Sequence, residues 1–150
     1  MSISVSDRQR WLAVLAKASI NDLERCWRDL AIAPEFRRLR APETGLVMLR
    51  GRMSGAGAPF NVGEMTVTRC SVVLSDGTVG HGYVGGSDAR HAEIAALCDA
   101  LLQTEAGRGQ VEKRVIAPLA TAYEARRQRT AARAAATRVE FFTVARESGS

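Results

Sequence analysis

The residues of this chain best suited to chemistry are cations beside a glycine-rich loop. Ser54 to Gly63 reads SGAGAPFNVG, and Arg50, Arg52 and Arg69 lie on the segments that flank it. Backbone amides left free in such a loop, those of Gly55 and Gly57 among them, can cradle an anion, and arginine adds planar two-point contacts to phosphate oxygens. Glu64, Thr66 and Thr68 alternate along the next segment as one polar row, with Glu64 and Thr68 placed to orient the arginines. The ordinary alternative is a long hairpin connection beside a polar sheet edge.

His81, His91 and Cys70, with Glu93 nearby in sequence, raise the question of a metal. A zinc site needs four ligands, or three and an open position. A core histidine at 81 and a first-turn histidine at 91 explain these residues without one, so no metal is expected. The chain has no G-x-x-x-x-G-K-S/T loop, no Cys-x-x-Cys pair, no H-E-x-x-H and no serine in a G-x-S-x-G turn. A lone ATPase, zinc protease or hydrolase is therefore disfavoured.

These residues must be positioned by one domain, since 150 residues, 46% apolar and 25% charged, suit a single compact core. No apolar run approaches a membrane span and the polar start lacks a leader pattern, so a cytoplasmic protein is expected. Cys26, Cys70 and Cys98 are odd in number and embedded in apolar patterns, which fits reduced, packed thiols. Charge is uneven: Met1 to Ala106 holds 12 Lys and Arg against 12 Asp and Glu, whereas Gly107 to Ser150 holds nine against four. A basic tail suits nucleic acid, an acidic partner or a phosphorylated ligand, but no aromatic residues interleave the arginines of its Ala/Arg helix, which makes nucleic acid the weaker choice.

Periodicity then assigns the elements. Trp11, Val14, Leu15 and Ala18, then Leu23, Cys26, Trp27 and Leu30, recur at helical spacing, with Ser6/Gln9 and Asn21/Glu24 as caps and Pro34 as a stop; together they predict an αα-hairpin. From Phe36 to Val84 the period becomes extended, with turn signals at Pro42 to Gly45, Ser54 to Gly63 and Asp76-Gly77, which predicts four strands in an antiparallel meander. A two-residue turn at Asp76-Gly77 would set Leu74 opposite Val79 and Val72 opposite His81. Cys70, Val72, Leu74, Val79, His81 and Tyr83 would then share the core face. Gly80 and Gly82 would lie on the other face as a flat strip open to a partner's backbone.

Asp88 begins a helix whose Ile94, Leu97, Cys98, Leu101 and Leu102 form an apolar stripe. Leu119 to Ala136 is Ala- and Arg-rich, helical by propensity, without a wide apolar face, and Phe141 and Phe142 follow on an arm. The fold class expected is α+β: an αα-hairpin, a four-stranded antiparallel meander covered by helices, and a C-terminal helix with an extended arm. Residues 1–106 form the core of this domain and 107–150 its basic helix and subunit-interaction arm.

Three consecutive stretches, ETGLVMLRGRMSGAGAPFNVGE, MTVTRCSVVLSDGTVGHGYVGG and SDARHAEIAALCDALLQ, with the opening RQRWLAVLAKA and the closing ATRVEFFTVARE, resemble the PhnG family, the G subunit of the bacterial carbon-phosphorus lyase core complex. Ser54 stands where relatives commonly show glycine, and Ala89 where a basic residue is usual. The resemblance implies a role in phosphonate catabolism within a two-fold-symmetric assembly with H, I and J subunits, contacting I most directly, and with an ATP-binding-cassette-like L protein. It implies a transferase complex, α-D-ribose 1-methylphosphonate 5-triphosphate synthase, that displaces adenine from MgATP by methylphosphonate. No cofactor resides in this chain on that reading; MgATP is the substrate of the complex. The chain would be structural and site-completing, inactive alone, with Gly80, Gly82, Phe141 and Phe142 at subunit contacts. The alternative class is a free-standing basic nucleic-acid-binding or regulatory protein.

Overall fold

The structure, a computed structural model, describes residues 3–53 and 57–137. Helices α1 (Val5–Lys17) and α2 (Ile20–Leu30) lead into strands β1 (Phe36–Gly51), β2 (Phe60–Leu74) and β3 (Val79–Gly85), followed by helix α3 (Ala89–Leu102). Helix α4 (Glu105–Val111), a π turn (Glu112–Ile116) and helix α5 (Ala117–Ala136) complete the described chain.

The caps of both N-terminal helices lie two residues before the expected ones. The Ser4 and Ser19 hydroxyls accept the backbone N–H groups of Asp7 and Asp22, so Ser6 and Asn21 lie inside the helices. Trp11, Leu15, Leu23, Cys26 and Leu30 enter the core as their spacing predicts. The two helices pack on α3, β3 and the C-terminal helices more than on each other, so they are consecutive covers of one core and not a self-packed hairpin.

The α+β class holds, but among the described residues the sheet has three antiparallel strands in the order β1-β2-β3, not four. Pro42 to Gly45 does not turn the chain. β1 runs through it, with register shifts between Arg38 and Arg40 and between Arg40 and Glu43. β1 is an edge strand, where a proline costs no ladder bond, and its bulges absorb the irregularity.

The β2–β3 turn is also one residue longer than expected. Leu74 N–H donates to Thr78 O (2.9 Å), Gly77 N–H donates to Leu74 O (3.0 Å), and Gly77 alone takes positive φ, +87°. This three-residue loop pairs Val72 with Gly80, Ser71 with His81 and Cys70 with Gly82. The β3 register is thus shifted by one, which reverses its faces. Cys70, Val72 and Leu74 do face the core, but with Gly80, Gly82 and Val84, while His81 and Tyr83 point outward.

The expectation of partner contact at Gly80 and Gly82 is corrected by the same shift. Their strip is occupied by α3 of this chain. A Cβ on Gly80 would lie 2.0 Å from Ala96 O, and one on Gly82 2.0 Å from Ala92 O. The absence of two side chains lets a helix lie almost directly on a strand. Every residue from His91 to Leu102 is buried, so α3 is the centre of the domain and not a helix with one apolar stripe.

Buried Asp99 ties α3 to two other elements. Its Oδ1 accepts from Arg8 Nε (3.1 Å) and Trp11 Nε1 (2.8 Å), and its Oδ2 from Arg8 Nη2 (2.7 Å) and the His81 backbone N–H (2.9 Å). One turn on, Gln103 Nε2 donates to Val79 O (2.8 Å). Side chains of α3 and the residue that ends it therefore cover backbone groups on the free edge of β3.

The C-terminal segment begins its helix earlier than Leu119. Pro118 lacks an N–H and would clash with a preceding carbonyl in regular α-helix, but the π turn just before it, where Ala117 N–H reaches Glu112 O, makes room. Val111, Val115, Ile116 and Leu119 are buried, and beyond Tyr123 the helix is almost wholly exposed.

Gly82→Ala should lower stability by about 3 kcal/mol, because the new methyl group meets helix backbone that must move as a unit. Gly45→Ala, with open space at its Cβ, should change it by less than about 0.5 kcal/mol. Urea midpoints of the two variants check this, and equal midpoints would refute the packing described.

Candidate functional site

Helices cover one face of the sheet and leave the other open, and the outward residues of all three strands form rows across it. Arg37, Val73 and Val79 make one row; Arg40, Ser71 and His81 the next; Glu43, Arg69 and Tyr83 the third; Gly45, Val67 and Gly85 the fourth. Glu43 Oε2 accepts from both Arg40 Nη1 (3.2 Å) and Arg69 Nη2 (3.3 Å). Ser71 Oγ and His81 Nδ1 are 2.9 Å apart. A shallow concavity of about 200 Å³ lies between Glu43, Arg69, Tyr83 and Val47, with Val67 as its floor.

Chemically, this face offers cations, a hydroxyl and an imidazole. Ser71 and His81 touch, but among the described residues no carboxylate bonds to the other imidazole nitrogen, so the pair lacks the orienting group of an activated nucleophile. Arg37, Arg40 and Arg69 against Glu43, and Glu35 near Arg37, leave this end with an excess of positive charge. The face is fitted to attract carboxylate or phosphate.

The phosphate-binding candidates do not converge. Arg69 sits on the outer face in its ion pair with Glu43. Arg50 pairs with Asn61 at the far end of the β1–β2 ribbon, past a register shift after Leu49 and six residues from Thr44, which is roughly 20 Å along a strand. Arg52 and Gly57 lie near that far end, Arg52 exposed. Glu64 pairs with Met48 on the ribbon. Thr68 is fully buried, with its hydroxyl 3.0 Å from Thr44 Oγ1 and donating to Gly86 O (2.7 Å), a structural tie where β3 ends. Gly55, Phe141 and Phe142 lie outside the described residues.

The outward rows that join Arg40, Ser71 and His81, and Glu43, Arg69 and Tyr83, differ from the sequence expectation, in which a two-residue turn sets His81 and Tyr83 in the core. The signal that finds them is polarity across strands: Arg69 and Ser71 alternate outward on β2, and polar partners on β3 match them only in the observed register.

The model of the family described as phosphonate metabolism protein PhnG matches residues 6–147. A curated relative from Rhizobium meliloti (strain 1021), the alpha-D-ribose 1-methylphosphonate 5-triphosphate synthase subunit PhnG, is 44% identical over 142 residues, covering 95% of this chain and 90% of that protein.

The remaining reactive side chains serve packing. His91 Nε2 is 2.8 Å from Leu15 O, between α3 and α1, and does not approach His81. Among the described residues no three His, Cys, Asp or Glu side chains gather as a metal site. Cys26, Cys70 and Cys98 are free and buried, and burial pushes each thiol above its ordinary value of 9.0. The stability this contributes is present below pH 9.0 and is lost as pH rises through the raised native values. Native protein at about pH 8 should therefore resist iodoacetamide at all three thiols, with Cys98 slowest, and incorporate three labels once denatured. Rapid native labelling of Cys98, followed by mass spectrometry, would contradict its burial.

Proposed function

The chain belongs to the phosphonate metabolism protein PhnG family, and from that premise we propose that it acts as a subunit of an α-D-ribose 1-methylphosphonate 5-triphosphate synthase. The observation that carries this reading is the match along nearly the whole chain, at 44% identity to a protein bearing that name. In the reaction, a phosphonate oxygen of methylphosphonate bonds to the ribose C1′ of MgATP, the C1′–nitrogen bond breaks, and adenine leaves. H, I and J subunits complete the core complex, with I as the direct neighbour and the ATP-binding-cassette-like L protein associated with it.

Within that complex this chain supplies structure and completes a site. Its Ser71–His81 pair has no orienting acid among the described residues, and Arg50 and Arg69 are too far apart to grip one phosphate group. Any help to the polyanionic substrate is positive charge, which stabilises phosphate oxygens without proton transfer. The free-standing nucleic-acid-binding alternative has no support from the relatives matched.

Co-expression with the H, I, J and L proteins tests the reading through adenine release from MgATP and methylphosphonate. The isolated chain should release none. Leaving it out should slow release by more than about tenfold, a barrier change above about 1.4 kcal/mol. An unchanged rate without this chain would remove it from the synthase.

A further inference from the structure

We propose that the outer sheet face is a docking surface for a partner-subunit segment that carries carboxylates at one end and apolar side chains at the other. This inference rests on the subunit reading above and states how the chain is held. The face is polarised along its length. Arg37, Arg40 and Arg69 crowd one end, with Glu43 paired to two of them and Glu35 near Arg37 at the sheet's end. Beyond Tyr83 and Val67, the β1–β2 ribbon continues past the end of β3 and presents Val47, Leu49 and Met65 on the same side.

Two physical arguments require a cover. A two-stranded ribbon is marginal in water without a third strand or a packed face. Here both sides are exposed and apolar: Leu46 is 65% exposed and Met48 56% on one, with Leu49 and Met65 on the other. The cationic end adds arginines beside a tyrosine, residue types enriched at protein interfaces. Charge complementarity selects the occupant, and Glu43 already displays its chemistry, since a single carboxylate oxygen accepts from Arg40 and Arg69 together.

A nucleotide is the weaker occupant. The concavity of about 200 Å³ is below the roughly 300–1,000 Å³ usual for small-molecule sites, and the Arg69 guanidinium at its rim is already paired with Glu43. A protein segment needs only a long, shallow face of this kind.

The test uses the chain co-expressed with the H, I and J subunits. Arg40→Glu/Arg69→Glu should weaken its retention in the complex by more than tenfold in Kd, Met65→Asp should do the same, and Arg40→Lys/Arg69→Lys should retain most of the affinity. Circular dichroism melting of each isolated variant, expected near wild type because the altered side chains are exposed, separates lost docking from lost folding. Wild-type retention of both the glutamate and aspartate variants would overturn the docking face while leaving the subunit reading intact. Failure of the wild-type chain to co-purify would overturn both. Titration of the isolated chain with ATP, then methylphosphonate, should leave the His81 and Tyr83 NMR signals unmoved; saturable shifts below millimolar ligand would overturn the proposal in favour of a small-anion site.

Discussion

The fold depends on one buried carboxylate. Asp99 has no contact with solvent, yet it sits on the central helix and receives four hydrogen bonds from a guanidinium, an indole and a strand amide. A charge taken out of water is tolerated only when its partners replace hydration completely, and truncating one member of such a set costs about 3–5 kcal/mol. That is a large share of the roughly 5–15 kcal/mol that holds a domain of ordinary size together. The arrangement fixes where α1 crosses α3 and how far β3 lies from both. It also determines which way the sheet can face: with α3 pressed on Gly80 and Gly82, helices crowd one side and the other is left to solvent.

Much of this could be read from sequence, and the failures have physical causes. Helical spacing identified Trp11, Leu15, Leu23, Cys26 and Leu30 because their apolar period is strong and each helix has a polar face. The Asp76-Gly77 pair signalled a tight turn but not its length, since a two-residue turn and a three-residue loop both place glycine at positive φ. Only the latter leaves Asp76 in an ordinary conformation, with its carboxylate accepting from Thr78 N–H at 2.8 Å. That single residue of slack hid the outer face, because it exchanged His81 and Tyr83 with Gly80 and Gly82. Pro42 misled for a different reason: it reads as a turn when strand position is unknown, and an edge strand tolerates it. Asp99 carried a signal in hindsight, as a lone acid deep in an otherwise apolar helical turn.

The candidate site was less legible than the fold. Arg50 and Arg52 flank the same glycine-rich loop as Arg69 in sequence, but the length of the strands sets Arg69, opposite Glu43, far from Arg50, opposite Asn61. Thr68, which resembles a substrate-facing hydroxyl in sequence, is consumed by Thr44 and Gly86. Family membership supplies the metabolic setting that no spacing of residues here could have provided, since what the described residues offer is charge, packing and an uncovered surface.

The π turn at Glu112–Ile116 carries a geometric debt forward. One residue more than an α-helical turn requires rotates everything downstream by about 100°. The buried stretch through Leu119 and the arginines beyond Tyr123 are therefore phased by this one insertion. Arg126, which reaches Lys17 O and lies over the Tyr123 ring, would swing away from α1 if the turn were regular. The direction in which the basic helix shows its charges is thus encoded by a local irregularity around Pro118, and compositional drift among the arginines themselves would leave that direction untouched.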